Sequence, residues 1–227
     1  MNFASGSVEG IATVVAPVSG PVTRGVVLAH GGSEDGRHCF ESEAAALASR
    51  GAAVVLPVAR IRLDGGIEGF ASDVRNAVLT QRAALDLLIE SGAPPDHLAF
   101  VGHSAGGAQA AILSGVEPRL SRIAILGNGA GPTARAALAQ ALSQGDAVTS
   151  DLVAVTEWFD LAHFVGADRR ARLLIQHGRR DPVVPLEAAQ ELFRAAAQPT
   201  TWAEYDCDHG LDAHPRARDA RAEFLLR

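Results

Sequence analysis

The sequence predicts an α/β protein with a central, mostly parallel sheet, helices on both faces and no large cap domain. Three observations carry that prediction. Short runs of Val, Leu, Ile and Ala alternate with longer segments whose apolar residues recur at helical spacing, the pattern of parallel strands joined by right-handed crossovers. Clusters of Gly and Pro punctuate the boundaries between these segments. The 227 residues, 48% of them hydrophobic, suit one domain, 1–227, with a substantial core.

In chain order, Val8, Ile11, Val14 and Val15 predict an opening strand or hairpin within 7–17. Val26 to His30 is a buried strand that runs into the turn cluster Gly31-Gly32-Ser33-Glu34-Asp35-Gly36. Phe40, Ala44, Leu47 and Ala48 recur as on a helix, and Gly51 stops it. Ala53 to Val58 is the next strand, and 59–69 reads as a polar loop. A long helix follows, because Phe70, Val74, Ala77, Val78, Leu85 and Leu88 share one face, and it ends near Ser91-Gly92. Leu98 to Val101 is a strand, Ala105 to Leu113 a helix, and Arg122 to Gly127 a strand.

The alternation then breaks. The stretch 129–171 occupies the position of a short lid-type insertion, with helices predicted around 134–142 and 156–165. The rhythm resumes with a strand at Leu173 to Gln176 and a helix placing Ala189, Leu192, Phe193 and Ala196 on one face. Thr201 to Tyr205 is the last strand, and a closing helix sets Ala213, Ala217, Ala220 and Phe224 toward the sheet.

The stretch Gly102-His103-Ser104-Ala105-Gly106-Gly107 stands between a strand and a helix. A serine at so sharp a turn has its hydroxyl lifted above the sheet edge, and the glycines two residues to either side let the turn close. The Ala105 amide then lies at a helix N-terminus, where it can donate to an oxyanion. A nucleophilic serine needs a base, and the base needs an orienting carboxylate. Asp181, in His177-Gly178-Arg179-Arg180-Asp181-Pro182-Val183-Val184-Pro185, follows one strand, and His209, in Asp206-Cys207-Asp208-His209-Gly210, follows the next. Asp206 and Asp212 stay open as alternative orienters; Asp208, adjacent to the histidine, points away from it.

Taken together, His30-Gly31-Gly32, Gly102 to Gly107, His177 to Pro185 and Asp208-His209-Gly210 resemble the α/β-hydrolase superfamily, and within it the small esterases of dienelactone-hydrolase-like type. The resemblance implies a catalytic Ser104, Asp181 and His209, and an oxyanion hole from the amides of Gly32 and Ala105, with Ser33 the alternative to Gly32. It also implies that His30 holds its loop. Relatives with a cysteine nucleophile differ at this elbow, which here carries Ser104, while Cys39 and Cys207 lie off it. The implied activity is serine hydrolysis of a small carboxylic ester, lactone or thioester through an acyl-enzyme. Amide or peptide hydrolysis, or ligand binding without catalysis on the same fold, are the competing readings. Ser33, His103, Trp158, Phe159 and Phe164 are the candidate pocket residues, and the short insertion predicts a small pocket that favours short acyl groups.

Composition narrows the alternatives. The net charge of −6 argues against a nucleic-acid partner. All 20 basic residues are arginine, so lysine Schiff-base chemistry has no residue to use. No His-Glu-x-x-His, Cys-x-x-Cys, Gly-x-Gly-x-x-Gly or P-loop lysine occurs, so neither metal nor cofactor is expected. Two cysteines are too few for a disulfide framework and are expected as free thiols. With no signal-peptide pattern and no membrane-length apolar run, the expected location is cytoplasmic. The expected partner is a small ester-type substrate, and a homodimer is compatible with the sequence.

Overall fold

The computed structural model describes residues 1–5, 8–32, 34–167 and 171–227. The apolar runs become strands β1 (Asn2–Ser5), β2 (Val8–Val15), β3 (Arg24–Ala29), β4 (Ala52–Pro57), β5 (Leu98–His103), β6 (Leu120–Leu126), β7 (Arg172–Gly178) and β8 (Thr200–Tyr205). Among the described residues these form one eight-stranded sheet in the order β1-β2-β4-β3-β5-β6-β7-β8. β1 pairs with β2, and β2 with β4, antiparallel; every pairing from β4 onward is parallel.

Alternate residues of the inner strands feed two cores, one on each face. Val27, Ala29, Val55, Phe100 and Ile125 face one side, and Val26, Leu28, Val54, Val101 and Leu126 the other. Because both faces are covered, β3 and β4 are buried along their whole length, which is why they read as continuous apolar runs rather than alternating ones. α2 (Gly66–Glu90) and α3 (Ala105–Val116) cover the first face through Leu85, Leu88, Ile112 and Leu113. α1 (Glu41–Ala48) and α8 (Pro215–Leu226) cover the second through Ala44, Leu47, Ala217 and Leu225. α4 (Gly131–Leu142), α5 (Ser150–Trp158) and α6 (Ala162–Val165) occupy the insertion, and α7 (Leu186–Ala195) precedes β8. Among the described residues no helix is long and apolar enough to cross a membrane, and Cys39 and Cys207 are free thiols.

Three elements differ from their expected form. α2 begins at Gly66, inside the stretch expected as loop. The helix expected over 156–165 is two helices broken at Asp160. The Asp160 carboxylate accepts from the amide of Ala162 at 3.1 Å and of Gly131 at 3.0 Å, so it ties α6 to the start of α4. α5 instead starts earlier, capped by the Thr149 hydroxyl on the Leu152 amide at 3.3 Å. Ala213 lies in the turn before α8 and Ala220 is exposed on it; the buried positions of α8 are Ala217, Arg221 and Leu225.

Arg221 sets that phase. Its side chain is 0% exposed and satisfied on several sides. Nε donates to Glu43 Oε1 at 2.8 Å, Nη2 to Glu43 Oε2, and Nη1 to Gln176 Oε1 at 2.8 Å. Gln176 Nε2 donates in turn to the Ala217 carbonyl at 3.0 Å. This network pins α8 and α1 to β7, and Arg221 Nη2 also reaches the carbonyl of Asp212, just beyond His209, at 3.5 Å.

Candidate active site

The three residues proposed for catalysis all stand at the carboxyl ends of parallel strands, the edge where α/β sheets collect ligands. Ser104 lies between β5 and α3 with φ 53° and ψ −117°. A positive φ on a non-glycine residue is strained and persists only where the surroundings over-determine it. Here the Ser104 amide donates to the Leu126 carbonyl at 2.9 Å, and Asn128 Nδ2 donates to the Ser104 carbonyl at 2.6 Å. A Cβ on Gly102 would sit 1.9 Å from the Gly106 oxygen, and one on Gly106 would sit 2.2 Å from the Ala29 oxygen. Both glycines are therefore required by space. Asn128 is missing from the sequence reading, where the only trace of it is a turn signal, Gly127-Asn128-Gly129, after a strand.

His209 Nδ1 bonds Asp181 Oδ2 at 2.7 Å. The other carboxylate oxygen, Oδ1, accepts the amides of Val183 at 2.8 Å and Val184 at 2.9 Å. The Asp181 side chain is 0% exposed. Burial alone would raise its pKa, but the hydrogen bonds from His209, Val184 and Val183 together outweigh burial and hold the carboxyl below its ordinary range. The ionised form is thus the one this loop is built around. The other acids are engaged elsewhere. Asp206 pairs with Arg180 at 3.4 Å, Asp208 accepts the Gly210 amide at 2.9 Å, and Asp212 lies 3.8 Å from His103. His177, beneath the acid, meets the Val184 carbonyl through Nε2 at 3.0 Å, and burial lowers its pKa. Among the described residues the Ser104 hydroxyl has no hydrogen-bond partner, and free enzymes commonly leave the nucleophile–base contact to tighten on substrate binding.

Ala105 opens α3, so its amide is one of the first-turn donors the helix leaves free. Gly32, at φ +77°, shares the cavity wall with Ser104 and Ala105. Ser33, its alternative and a candidate pocket residue, lies outside the described residues. His30 is buried; its Nδ1 donates to the Gly31 carbonyl at 3.0 Å and its ring packs on Gly36, which fits a loop-holding role.

Ser104 opens onto a cavity of about 780 Å³. Its walls are Phe70, Val74, Ala108, Ile112, Leu138 and Phe159, with Asn128, Val183 and Val184 near the catalytic edge. Phe159 meets Phe70 edge-on at 5.1 Å between ring centroids. The other aromatic candidates lie elsewhere: Trp158 is 81% exposed, and Phe164 packs against the core. His103 is turned toward the His209 loop, with Nε2 2.7 Å from the His209 carbonyl. The expected small pocket is also corrected. Beside Leu138 and Arg135, α4 and α5 present the small residues Ala134, Ala141 and Thr156 to a cavity of that volume.

No family model and no curated protein matches the sequence. Solved structures do. The chain matches Est1E from Butyrivibrio proteoclasticus with a TM-score of 0.74 at 17% identity, covering 100% of this chain and 97% of that one. The esterase domain of a Rhodothermus marinus protein gives 0.67 at 22% identity, with 100% and 95% covered. An acetyl xylan esterase from Paenibacillus sp. R4 gives 0.73 at 17%, with 96% and 79% covered. The shared property is the fold: the chain has the α/β-hydrolase fold, with no large cap domain.

Proposed function

We propose that this α/β-hydrolase-fold protein is a serine hydrolase cleaving a carboxylic ester, lactone or thioester through an acyl-enzyme. The observation that carries the reading is the 2.7 Å bond from His209 Nδ1 to Asp181, on the same sheet edge as the strained Ser104. Asp181 accepts the Nδ1–H hydrogen bond, which fixes the tautomer and leaves the Nε2 lone pair to accept the proton of Ser104 Oγ as the oxygen attacks the acyl carbon. The amides of Gly32 and Ala105 receive the oxyanion. As the tetrahedral adduct collapses, His209 returns the proton to the leaving oxygen or sulfur. Water, deprotonated by the same imidazole, then releases the acid and regenerates Ser104. The three solved structures named above are esterases by name, in keeping with ester chemistry.

The cavity bears on the substrate. Its apolar walls and volume of about 780 Å³ suit an acyl or aryl group well beyond acetyl. With para-nitrophenyl esters of increasing chain length, kcat/KM is expected to rise from acetate until the cavity is filled. Each newly buried methylene is worth about 0.8 kcal/mol, or up to roughly fourfold. Ala108→Phe should remove the gain for long esters and spare acetate. Ser104→Ala protein serves as the blank. Activity confined to acetate would mean the cavity does not receive the acyl group, and faster cleavage of amides than of esters would move the reading to a peptidase.

A further inference from the structure

His103, the residue before the nucleophile, has a side chain only 13% exposed yet is absent from the cavity wall. Its Nε2 lies 2.7 Å from the carbonyl oxygen of His209. A carbonyl only accepts, so Nε2 is the protonated nitrogen. The same carbonyl accepts the Leu211 amide at 2.9 Å. Both of its lone pairs are therefore used, and the peptide plane that follows His209 is fixed from two directions.

The ring has further contacts with the reacting groups' supports. Nδ1 faces Asp212 Oδ1 at 3.8 Å, and the His103 and His209 rings lie 4.8 Å apart between centroids. A Cβ on Gly127 would meet His209 Cε1 at 3.1 Å and His103 Cδ2 at 3.4 Å, and one on Gly31 would meet Ser104 Cβ at 2.8 Å and His103 Nδ1 at 3.3 Å. One side chain thus borders the start of the oxyanion loop, the serine's own strand and the base's loop. Burial, the first cause, and the neighbouring His209 lower the His103 pKa against the pull of Asp212, which favours the neutral ring needed for a fixed tautomer.

We propose that His103 is a positioning residue, whose Nε2–H to the His209 carbonyl sets the catalytic imidazole relative to Ser104. The proposal rests on the hydrolase reading, since positioning matters only if His209 is the base. The bond holds His209 across the gap between two loops that covalent structure does not join, and small displacements of a catalytic group are costly in rate.

The test compares His103→Leu, which removes the donor, with His103→Gln, whose amide nitrogen can occupy the place of Nε2. His103→Leu is expected to lower kcat about 10- to 100-fold with KM within about twofold, because His103 does not touch the cavity. His103→Gln should recover kcat to within about threefold. The low-field proton resonance of the His209–Asp181 hydrogen bond should broaden or vanish in the Leu protein and persist in the Gln protein. If the Leu protein does not fold, Asn replaces it, since its shorter amide falls short of the carbonyl. Wild-type kcat and an unchanged resonance without the donor, or a Gln protein as slow as the Leu or Asn protein, would overturn the proposal. If the wild type proves inactive on every ester, the hydrolase reading fails, while the resonance still shows whether His103 holds His209.

Discussion

Asp181→Asn is expected to lower kcat by about 10⁴-fold, with the fold intact and KM little changed. The reason is a tautomer. Two backbone amides, from Val183 and Val184, converge on Oδ1, so the asparagine must present its oxygen there. Its NH₂ then faces His209 Nδ1, now 2.7 Å from a carboxylate oxygen. A donor at that point forces Nδ1 to be the bare nitrogen and moves the proton to Nε2, where it blocks acceptance of the serine proton. Asp181→Glu retains the charge but displaces it, and is expected to fall between the two. Steady-state kinetics on a para-nitrophenyl ester checks this. An Asn protein within about tenfold of wild type would mean that another group orients the base.

The largest stability effect is expected at Arg221. Replacing it by Met leaves Glu43 buried without a counter-ion and Gln176 Oε1 without its donor. Removing one partner of a buried ion pair costs about 3–5 kcal/mol, or a fall in melting temperature of roughly 6–20 °C for a chain of this size. Arg221→Met with Glu43→Leu should recover much of the loss, because no lone charge then remains in the core. Calorimetry or thermal circular dichroism reads both. A single variant melting within about 2 °C of wild type would show the pair to be energetically idle.

Arg221 also marks where sequence reading stops. Arginine reads as surface, so the closing helix is phased on its alanines and phenylalanine. The true buried face is recognisable only once Glu43, far away in sequence, is known to meet it. Asp160 teaches a similar lesson: its bond to the Ala162 amide is local, but the bond to Gly131 that ties the helix break to α4 spans 29 residues. By contrast, β3 to β6 and α2 are legible, because continuous apolar runs and a one-sided helix directly reflect burial between layers. The site candidates are legible for a related reason. Ser104, Asp181 and His209 each follow a strand, and parallel strands end at a common edge. Pocket size is not legible, since it depends on which residues of α2, α3, α4 and α5 meet around one space, and those lie far apart in sequence.

The central claim is that Ser104 is an activated nucleophile served by His209. The most direct measurement is covalent: incubation with a fluorophosphonate probe, followed by mass spectrometry of the intact protein and of its peptides. The expected result is one label per chain, on the peptide holding Gly102-His103-Ser104-Ala105-Gly106, with labelling abolished in folded Ser104→Ala protein and strongly slowed in His209→Ala. A label on any other residue, or equal labelling of the Ser104→Ala protein, would contradict the account.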